Sequence, residues 1–528
     1  MWTYYNRSRI RSGLSQQLDV LVVGGGITGA GVLREAARLG LKAALVEKND
    51  FAWGTSSWSS KMVHGGLRYL RQGDIRLTLD AVRERQALLQ QAPGLVQPLP
   101  FILPLFSRNP GHKAFIRLGL TTYDLLARRW QHKKLSAKNM LRQLPNLKKQ
   151  NLQGGYLFQD ALTDDSRLVF CVLQEALADG ALPLNYAPAR QLLWLGNRIQ
   201  GVLIQDLVQG DELALRAKVV INACGAWARE LCMQSGLRLQ LRPLRGSHLV
   251  LDRPDFYPAS AVTYDHPQDK RPVFAFPFQG KTILGTTDLD HNQNQKQPPW
   301  MSTAEFTYLL SGAQEIFPNA RLKPQDVISS FAGIRPVVSR GKQISPSNES
   351  RKHGIWTHKG LITVSGGKLT TFRLIALDVL AAAQKYLGSL PLRSDRQIFS
   401  PLVWQPRKDY GLSREKLHYV LGHYRLDAAD FLQQAHQTEL HQPCPQGCPL
   451  WAELRWSAKN EAVFNLEDLL LRRTRLGILC RDGGREFLPG IKDICRQELG
   501  WDQQTWQQQK QDYLQLWQQH YSPGTNQR

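Results

Sequence analysis

Leu18-Asp19-Val20-Leu21-Val22-Val23-Gly24-Gly25-Gly26-Ile27-Thr28-Gly29-Ala30-Gly31 decides how this chain begins to fold. Its first six residues are mostly apolar and rich in valine, as a buried strand requires. Glycines then stop the strand, and Val32 to Gly40 carries its apolar residues at helical spacing. A second β-rich run, Lys42 to Val46, ends at Glu47. Strand, turn, helix and strand within fifty residues predict a parallel βαβ unit.

The turn carries the chemistry. In Gly24-x-Gly26-x-x-Gly29 the first glycine permits the tight turn, the second lets a pyrophosphate approach the backbone, and the third lets helix pack on strand. The helix N-terminus then faces the phosphates. Glu47 ends the second strand, where a carboxylate can accept both hydroxyls of an adenosine ribose. These features predict a dinucleotide site without choosing between a nicotinamide and a flavin.

Further along, Val219 to Trp227 reads as a second approach of the same sheet to that ligand. Leu361 to Ser365 reads as one more strand, closed by Gly366 and Gly367 and followed by a helix from Leu369 to Tyr386. Between Arg242 and Asp288, short β-rich pieces alternate with turns, as in an antiparallel substrate-side sheet. Gly388 to Gly411 is rich in Pro, Arg and Ser, and the pattern beyond it is helical to the end. The Gln-rich stretch Gln503 to Gln519 keeps Trp506, Tyr513, Leu514 and Trp517 near helical spacing. A chain of 528 residues exceeds what one core holds. We therefore expect dinucleotide segments at about 17–90, 155–235 and 350–387, interleaved with substrate segments at about 91–154 and 236–349, and a helical domain over 388–528.

Composition excludes other classes. Apolar residues make up 42% and charged residues 21%, ordinary globular values. Seven scattered cysteines point to a reducing compartment and to buried free thiols. Cys444 and Cys448 form the one close pair, with no second pair at zinc spacing, so no metal is assigned. No run of about twenty apolar residues occurs. The Arg-rich N-terminus faintly suggests a transit peptide and is read as a leader strand or tail.

The net charge of +23 is unevenly spread: Arg108 to Lys149 holds eleven Lys and Arg against Asp124 alone. Phe115, Ile116, Leu125, Leu126 and Trp130 are interleaved with these charges, which points to an anionic surface, either phospholipid or nucleic acid.

The block Thr55-Ser56-Ser57-Trp58-Ser59-Ser60-Lys61-Met62-Val63-His64-Gly65-Gly66-Leu67-Arg68-Tyr69-Leu70 resembles the FAD-dependent glycerol-3-phosphate dehydrogenases. The resemblance continues through Asp164-Asp165-Ser166-Arg167, Gly246-Ser247-His248, Leu284 to Asp288, Phe331 to Pro336, Ser350 to His353 and Gly366 to Arg373. In the helical part it extends to Glu453, Glu461, Asp468 and Arg472-Arg473, read as structural charges. Trp58, Ser166, Phe278 and Phe372 depart from the usual pattern.

The resemblance implies an α/β fold: a Rossmann-like FAD domain, an antiparallel-sheet substrate domain of the D-amino-acid-oxidase kind, and an all-α C-terminal cap. It implies FAD held by Gly24, Gly26, Gly29, Glu47, Thr55, Ser56, Ser57, Lys61, His64, Gly65, Gly366, Gly367, Lys368, Leu369 and Thr370. The implied reaction takes glycerol 3-phosphate to dihydroxyacetone phosphate, with hydride passing to flavin N5 and electrons on to a quinone. Arg335 is expected to bind the phosphate, with Arg68 second, beside Tyr69 and Lys368. His248 and His64 compete as the base, His248 favoured on the substrate side and His64 close to the flavin. The expected setting is cytoplasmic, peripherally attached to the anionic inner face of the cell membrane, without nucleic acid and with a homodimer left open. Two neighbouring readings share the fold, an oxygen-reducing glycerol-3-phosphate oxidase and an amine or amino-acid oxidase. A third is of another class: a flavoprotein that binds RNA through the basic segment.

Overall fold

Leu18–Val23 is buried on both faces at the centre of a parallel sheet, which explains its continuous apolar run. The computed structural model describes residues 7–523 except 67–69, 71–72, 108, 295–296, 339–348, 350–351, 403–408 and 443–449, and of His112 the backbone alone. Ala43–Val46 and Glu212–Asn222 flank the central strand, both parallel to it, with Val22 level with Leu45 and Ile221. Leu182–Leu184 and Leu361–Ser365 extend the two sides, again parallel. Gly354–His358 closes one edge antiparallel, and the hairpin of Ala189–Leu195 and Arg198–Gln205 pairs with the first half of the long strand Glu212–Asn222. The helices Ile27–Arg38, Asp165–Ala178 and Phe372–Leu387 bury their apolar faces in the core of this sheet. Gly31 makes one of these contacts close, since a Cβ there would stand 2.8 Å from the Phe372 ring.

The second sheet centres on Leu241–Leu251, which runs antiparallel to Val327–Val338 on one side and to Lys281–Gly285 on the other. Pro272–Phe278 and Ala261–Asp265 continue it. The sheet is antiparallel, as expected, except at one place: Ala261 and Val262 pair parallel with Phe101 and Ile102 of Val96–Pro104. Gly155–Thr163 and Met62–Val63 complete that side, although both lie in stretches expected in the dinucleotide unit. Residue 64 therefore leaves the strand that borders the second sheet, close to where the two sheets meet.

The C-terminal part is helical, from Arg414–Tyr424 to Gln503–His520, and the Gln-rich stretch buries Trp506, Tyr513 and Trp517. The N-terminal leader is also helical, Arg7–Leu14, and not a strand or tail. Arg7 is buried there, paired with Asp206 at 2.7 Å and donating to the Asn185 carbonyl, so a polar anchor fixes a segment whose weak apolar pattern gave no helix signal.

Buried charge joins the C-terminal helices to the dinucleotide unit. A π-helical turn, Asp468–Arg473, sets Arg472 and Arg473 side by side on Asp50, each within 2.6 Å of its carboxylate. Arg167 pairs with Glu461 and Arg475 with Asp164. Both arginines beside Asp50 hold its carboxyl below the ordinary value despite burial. Removing one partner of a buried pair leaves an uncompensated charge, at a cost of about 3–5 kcal/mol. Asp50→Ala should therefore lower unfolding stability by that order in a denaturant titration, and an unchanged midpoint would show that these pairs do not hold the two parts together.

Candidate functional site

The glycine turn has the shape the sequence demands. Gly24 adopts φ +114°, and a Cβ on it would meet the Ala223 carbonyl at 2.7 Å, so the turn lies directly against the end of Glu212–Asn222. A Cβ on Gly29 would fall 1.9 Å from the Gly24 carbonyl, which is the close helix-on-strand approach expected of the third glycine. Gly26 is the N-cap of Ile27–Arg38 and offers no side chain; Ser56 Oγ accepts from Ile27 N at 2.9 Å instead. The amide end of this helix thus opens beside the Thr55–Ser57 loop, a ready site for phosphates.

Glu47 stands at the end of its strand, its carboxylate accepting from Gly25 N at 2.6 Å and Asn49 N at 2.9 Å. Burial pushes its carboxyl up, and these two N–H groups pull it back towards the ionised form. Thr55 donates its hydroxyl to the Ile334 carbonyl, tying the loop after the βαβ unit to the strand that carries Arg335. Ser57 Oγ donates to the Gly54 carbonyl.

His64, His248, Arg335 and Lys368 converge on one cavity of about 160 Å³, lined also by Thr55, Ser60, Gly367, Leu369 and Thr370. Four separate elements supply them. His64 is held by its backbone, its N–H donating to Thr370 Oγ1 and its carbonyl accepting from the same hydroxyl, both at 3.2 Å. Gly366 and Gly367 take φ +84° and +80° directly after Leu361–Ser365, which delivers Lys368 to the wall.

His248 projects from Leu241–Leu251 opposite Gly285, where a Cβ would stand 2.2 Å from the imidazole. Its ring stacks on Phe331 at 4.6 Å, and its Nε2 lies 2.8 Å from Ser60 Oγ. Nδ1 is buried without a hydrogen-bond partner among the described residues. Burial, then Arg335, then Lys61 hold this imidazole well below its ordinary value, so it is neutral. Arg335 lies 3.3 Å from Asp288, a carboxylate that sequence reading quoted within a motif and gave no role.

Other expected residues lie elsewhere. Lys61 is fully buried and bonded to Asp165 at 2.9 Å and to the Ser57 carbonyl at 3.2 Å, outside the lining of the cavity. Gly65 N donates to Asp160, and a Cβ on Gly65 would collide with the Tyr123 hydroxyl at 2.3 Å. Arg68 and Tyr69 lie outside the described residues, as do Cys444 and Cys448. Cys171, Cys232, Cys480 and Cys495 are buried free thiols and Cys224 is half-buried. Sequence reading missed Ser60 as a partner of His248, because a serine run carries no sign of which hydroxyl meets a ring 188 residues away.

A larger cavity of about 840 Å³ adjoins the first at Ser60, Met62, His64, Asp288 and Arg335. Its walls are largely apolar, including Phe101, Leu103, Leu105, Phe115, Phe158 and Phe274. Pro110–Ala127, the first helix of the basic segment, forms part of it. Around it Phe115, Leu118, Leu125 and Trp130 stand 52–68% exposed beside the exposed Lys133, Lys134 and Lys138. Among the described residues no helix is long and apolar enough to cross a membrane.

Comparison with known proteins agrees with this geometry. The family described as FAD dependent oxidoreductase matches residues 19–378, and the C-terminal domain of alpha-glycerophosphate oxidase matches residues 394–506. The aerobic glycerol-3-phosphate dehydrogenase of Staphylococcus haemolyticus is 35% identical over 498 residues, 89% of each chain. That of Staphylococcus aureus is 32% identical over 499 residues, again 89% of each. Among solved structures, the glycerol-3-phosphate dehydrogenase from Bacillus halodurans complexed with FAD superposes with a TM-score of 0.81 and 27% identity over 100% of both chains. The glycine oxidase of Geobacillus kaustophilus, at 19% identity, TM-score 0.51 and 71% and 96% coverage of this chain and its own, shares the fold alone.

The position of Glu47 gives a direct test. Its carboxylate sits at the dinucleotide turn, away from the cavity that gathers the histidines. Hydrogen bonds to a charged group contribute about 1.5–3 kcal/mol each, so Glu47→Ala should lower bound flavin per purified chain while turnover per bound flavin changes little. Full flavin occupancy with collapsed turnover would remove Glu47 from the ribose.

Proposed function

We propose a reaction from one premise: this chain belongs to the FAD-dependent oxidoreductase family and, within it, to the glycerol-3-phosphate dehydrogenases. It is an FAD-dependent enzyme, and the glycine turn, the uncapped helix end and Glu47 fit that cofactor. The reading is that it oxidises sn-glycerol 3-phosphate to dihydroxyacetone phosphate and hands the electrons to a membrane quinone. The observation that carries it is the convergence of His64, His248, Arg335 and Lys368 on one cavity beside the flavin-binding glycines.

FAD, when bound, supplies the two-electron acceptor for the C2 carbinol. The residues do the rest. Arg335 offers a planar fork for the phosphate oxygens, and Lys368 adds a second cation to the lining of the same cavity. Asp288, also on the cavity lining, pairs with the Arg335 guanidinium at 3.3 Å, limiting its rotation. His248 takes the C2 hydroxyl proton: a base must be neutral to accept one, and burial beside two cations keeps it so. With Nε2 engaged by Ser60, Nδ1 is the nitrogen left for that proton. His64, fixed through its backbone to Thr370, stands on the flavin side.

The apolar cavity supports a lipid-soluble acceptor in preference to oxygen, because a molecule as small as oxygen needs no such volume. It also bears on where the enzyme works. Aliphatic side chains dominate the exposed face of Pro110–Ala127, which favours insertion among lipid tails over stacking on nucleic-acid bases. We therefore place the enzyme peripherally on an anionic membrane surface, with this helix and the lysines after it in contact.

Two outcomes follow. Arg335→Ala should keep its flavin yet lose at least about tenfold in kcat/KM for glycerol 3-phosphate, since each charge-assisted bond to phosphate is worth about 1.5–3 kcal/mol; unchanged efficiency removes Arg335 from the phosphate. Each Lys or Arg near an anionic surface contributes about 1 kcal/mol. Lys133→Glu, Lys134→Glu and Lys138→Glu together should release the enzyme from phosphatidylglycerol vesicles and slow quinone reduction, with reduction of a soluble dye intact. Vesicle binding that survives the triple change at moderate salt, or dye activity that falls in parallel, would place the docking surface elsewhere.

A further inference from the structure

Beneath the smaller cavity, Asp165 ties together the loop that carries Ser60. Its Oδ2 accepts from Ser59 N at 3.0 Å and Ser59 Oγ at 2.7 Å; its Oδ1 accepts from Lys61 Nζ at 2.9 Å and from Arg475. Lys61 N in turn donates to Ser59 Oγ at 3.0 Å. The residues on either side of Ser60 are thus held by one carboxylate, and Lys61 is further fixed in a left-handed backbone conformation, φ +56°. Asp165 and Lys61 are completely buried and Arg475 nearly so. The cluster of Asp164, Asp165, Lys61 and Arg475 is neutral, so it persists without water.

The orientation that results has a chemical consequence. A neutral imidazole has one donor and one acceptor nitrogen. If Ser60 Oγ accepts from Nε2–H, the lone pair is on Nδ1, free of partners among the described residues; if Ser60 donates instead, Nδ1 carries the proton and cannot act as a base. The ring cannot escape by turning, because Phe331 covers its face and Gly285 lies against its Cδ2 edge. Lys61 Nζ stands 5.1 Å from the centre of the Phe331 ring on which the imidazole stacks.

We propose that Asp165 is a positioning residue for His248: acting through Ser59 and Lys61, and braced by Arg475 from the C-terminal helices, it holds the Ser60 hydroxyl 2.8 Å from Nε2, where accepting Nε2–H leaves the lone pair on Nδ1. This rests on the reading of His248 as the base. It gives the C-terminal part a direct connection to the chemistry, because Arg475 reaches the carboxylate that sets the Ser60 loop.

The test uses flavin-loaded enzyme with glycerol 3-phosphate and a soluble dye. Removing a hydrogen bond that orients a general base costs catalysis more than binding. Ser60→Ala should lose at least about tenfold in kcat with KM and flavin content little changed, whereas Ser60→Thr, which keeps the hydroxyl, should retain most of kcat. Asp165→Asn should show the same kcat-selective loss, and Asp165→Asn with Ser60→Ala should be no slower than the slower single variant. Should Asp165→Asn fail to fold, Ser59→Ala reports the same connection, again with a non-additive double. Full kcat in Ser60→Ala, or losses that multiply in the double variant, overturns the inference. His248→Gln separates the two levels: full kcat there removes the base assignment itself, whereas a large loss there beside a normal Ser60→Ala removes only the positioning role.

Discussion

Buried charge is the constraint on which the rest of this structure depends. Asp50, Asp164 and Asp165 lie at or near zero exposure, and each is stable there only because arginines or a lysine reach it. The arginines come from a single short stretch, Arg472 to Arg475, shaped by a π-helical turn and by the left-handed conformation of Arg475. Neither half of the arrangement can be buried alone. The helical C-terminal part is therefore more than a cover: its cations neutralise carboxylates that belong to the segment after Ala43–Val46 and to the start of Asp165–Ala178. Asp50 follows Glu47 by three residues, so the segment that presents the Glu47 carboxylate is braced by that pairing.

What was legible in the sequence was local. The glycine spacing, the apolar run before it and the acid after it encode the βαβ unit within fifty residues, and Gly24 and Gly29 make the tight turn and the close helix-on-strand packing that the spacing implied. The family motifs carried His64, His248, Arg335 and Lys368, and the fold brings those four to one cavity. What escaped was long-range. Nothing in the β-rich piece Ala261–Asp265 announces that it pairs parallel with Phe101 and Ile102, because parallel and antiparallel partners bury the same residues. Lys61 sits inside the block expected around the flavin, and its ammonium is bonded to Asp165, a partner that the motif does not announce. The helix Arg7–Leu14 was hidden because its apolar stripe is only Ile10 and Leu14, with a buried ion pair at Arg7 completing the anchor.

Two cavities meeting at His64, Asp288 and Arg335 divide the site by polarity. The smaller holds the cations and histidines; the larger is walled mainly by aromatic and aliphatic side chains and reaches the exposed helix Pro110–Ala127. On the proposed reading the triol phosphate is held in the first, and an apolar ring system lies against the aromatic walls of the second. On the proposed reading this division separates the two substrates without any moving part. It also explains why the basic segment is interleaved with apolar residues, since one stretch of chain then forms the outer wall of the apolar cavity and the surface next to it.

On the proposed reading the same electrostatics adjust the base. Burial, then Arg335 and Lys61, depress the basicity of the His248 imidazole. Lys61 is matched by Asp165 whether or not anything is bound, and Arg335, a quarter exposed, is paired with Asp288. A phosphate dianion on Arg335 would add a negative field that acts on the ring in the opposite sense to the guanidinium. That change raises the proton affinity of His248. The base would then become stronger when the substrate's phosphate is seated, so that the group distant from the reacting carbon contributes to the step at that carbon. Glycerol, which lacks the phosphate, would meet a histidine still held neutral and weakly basic, and the discrimination would appear in the chemical step as well as in binding.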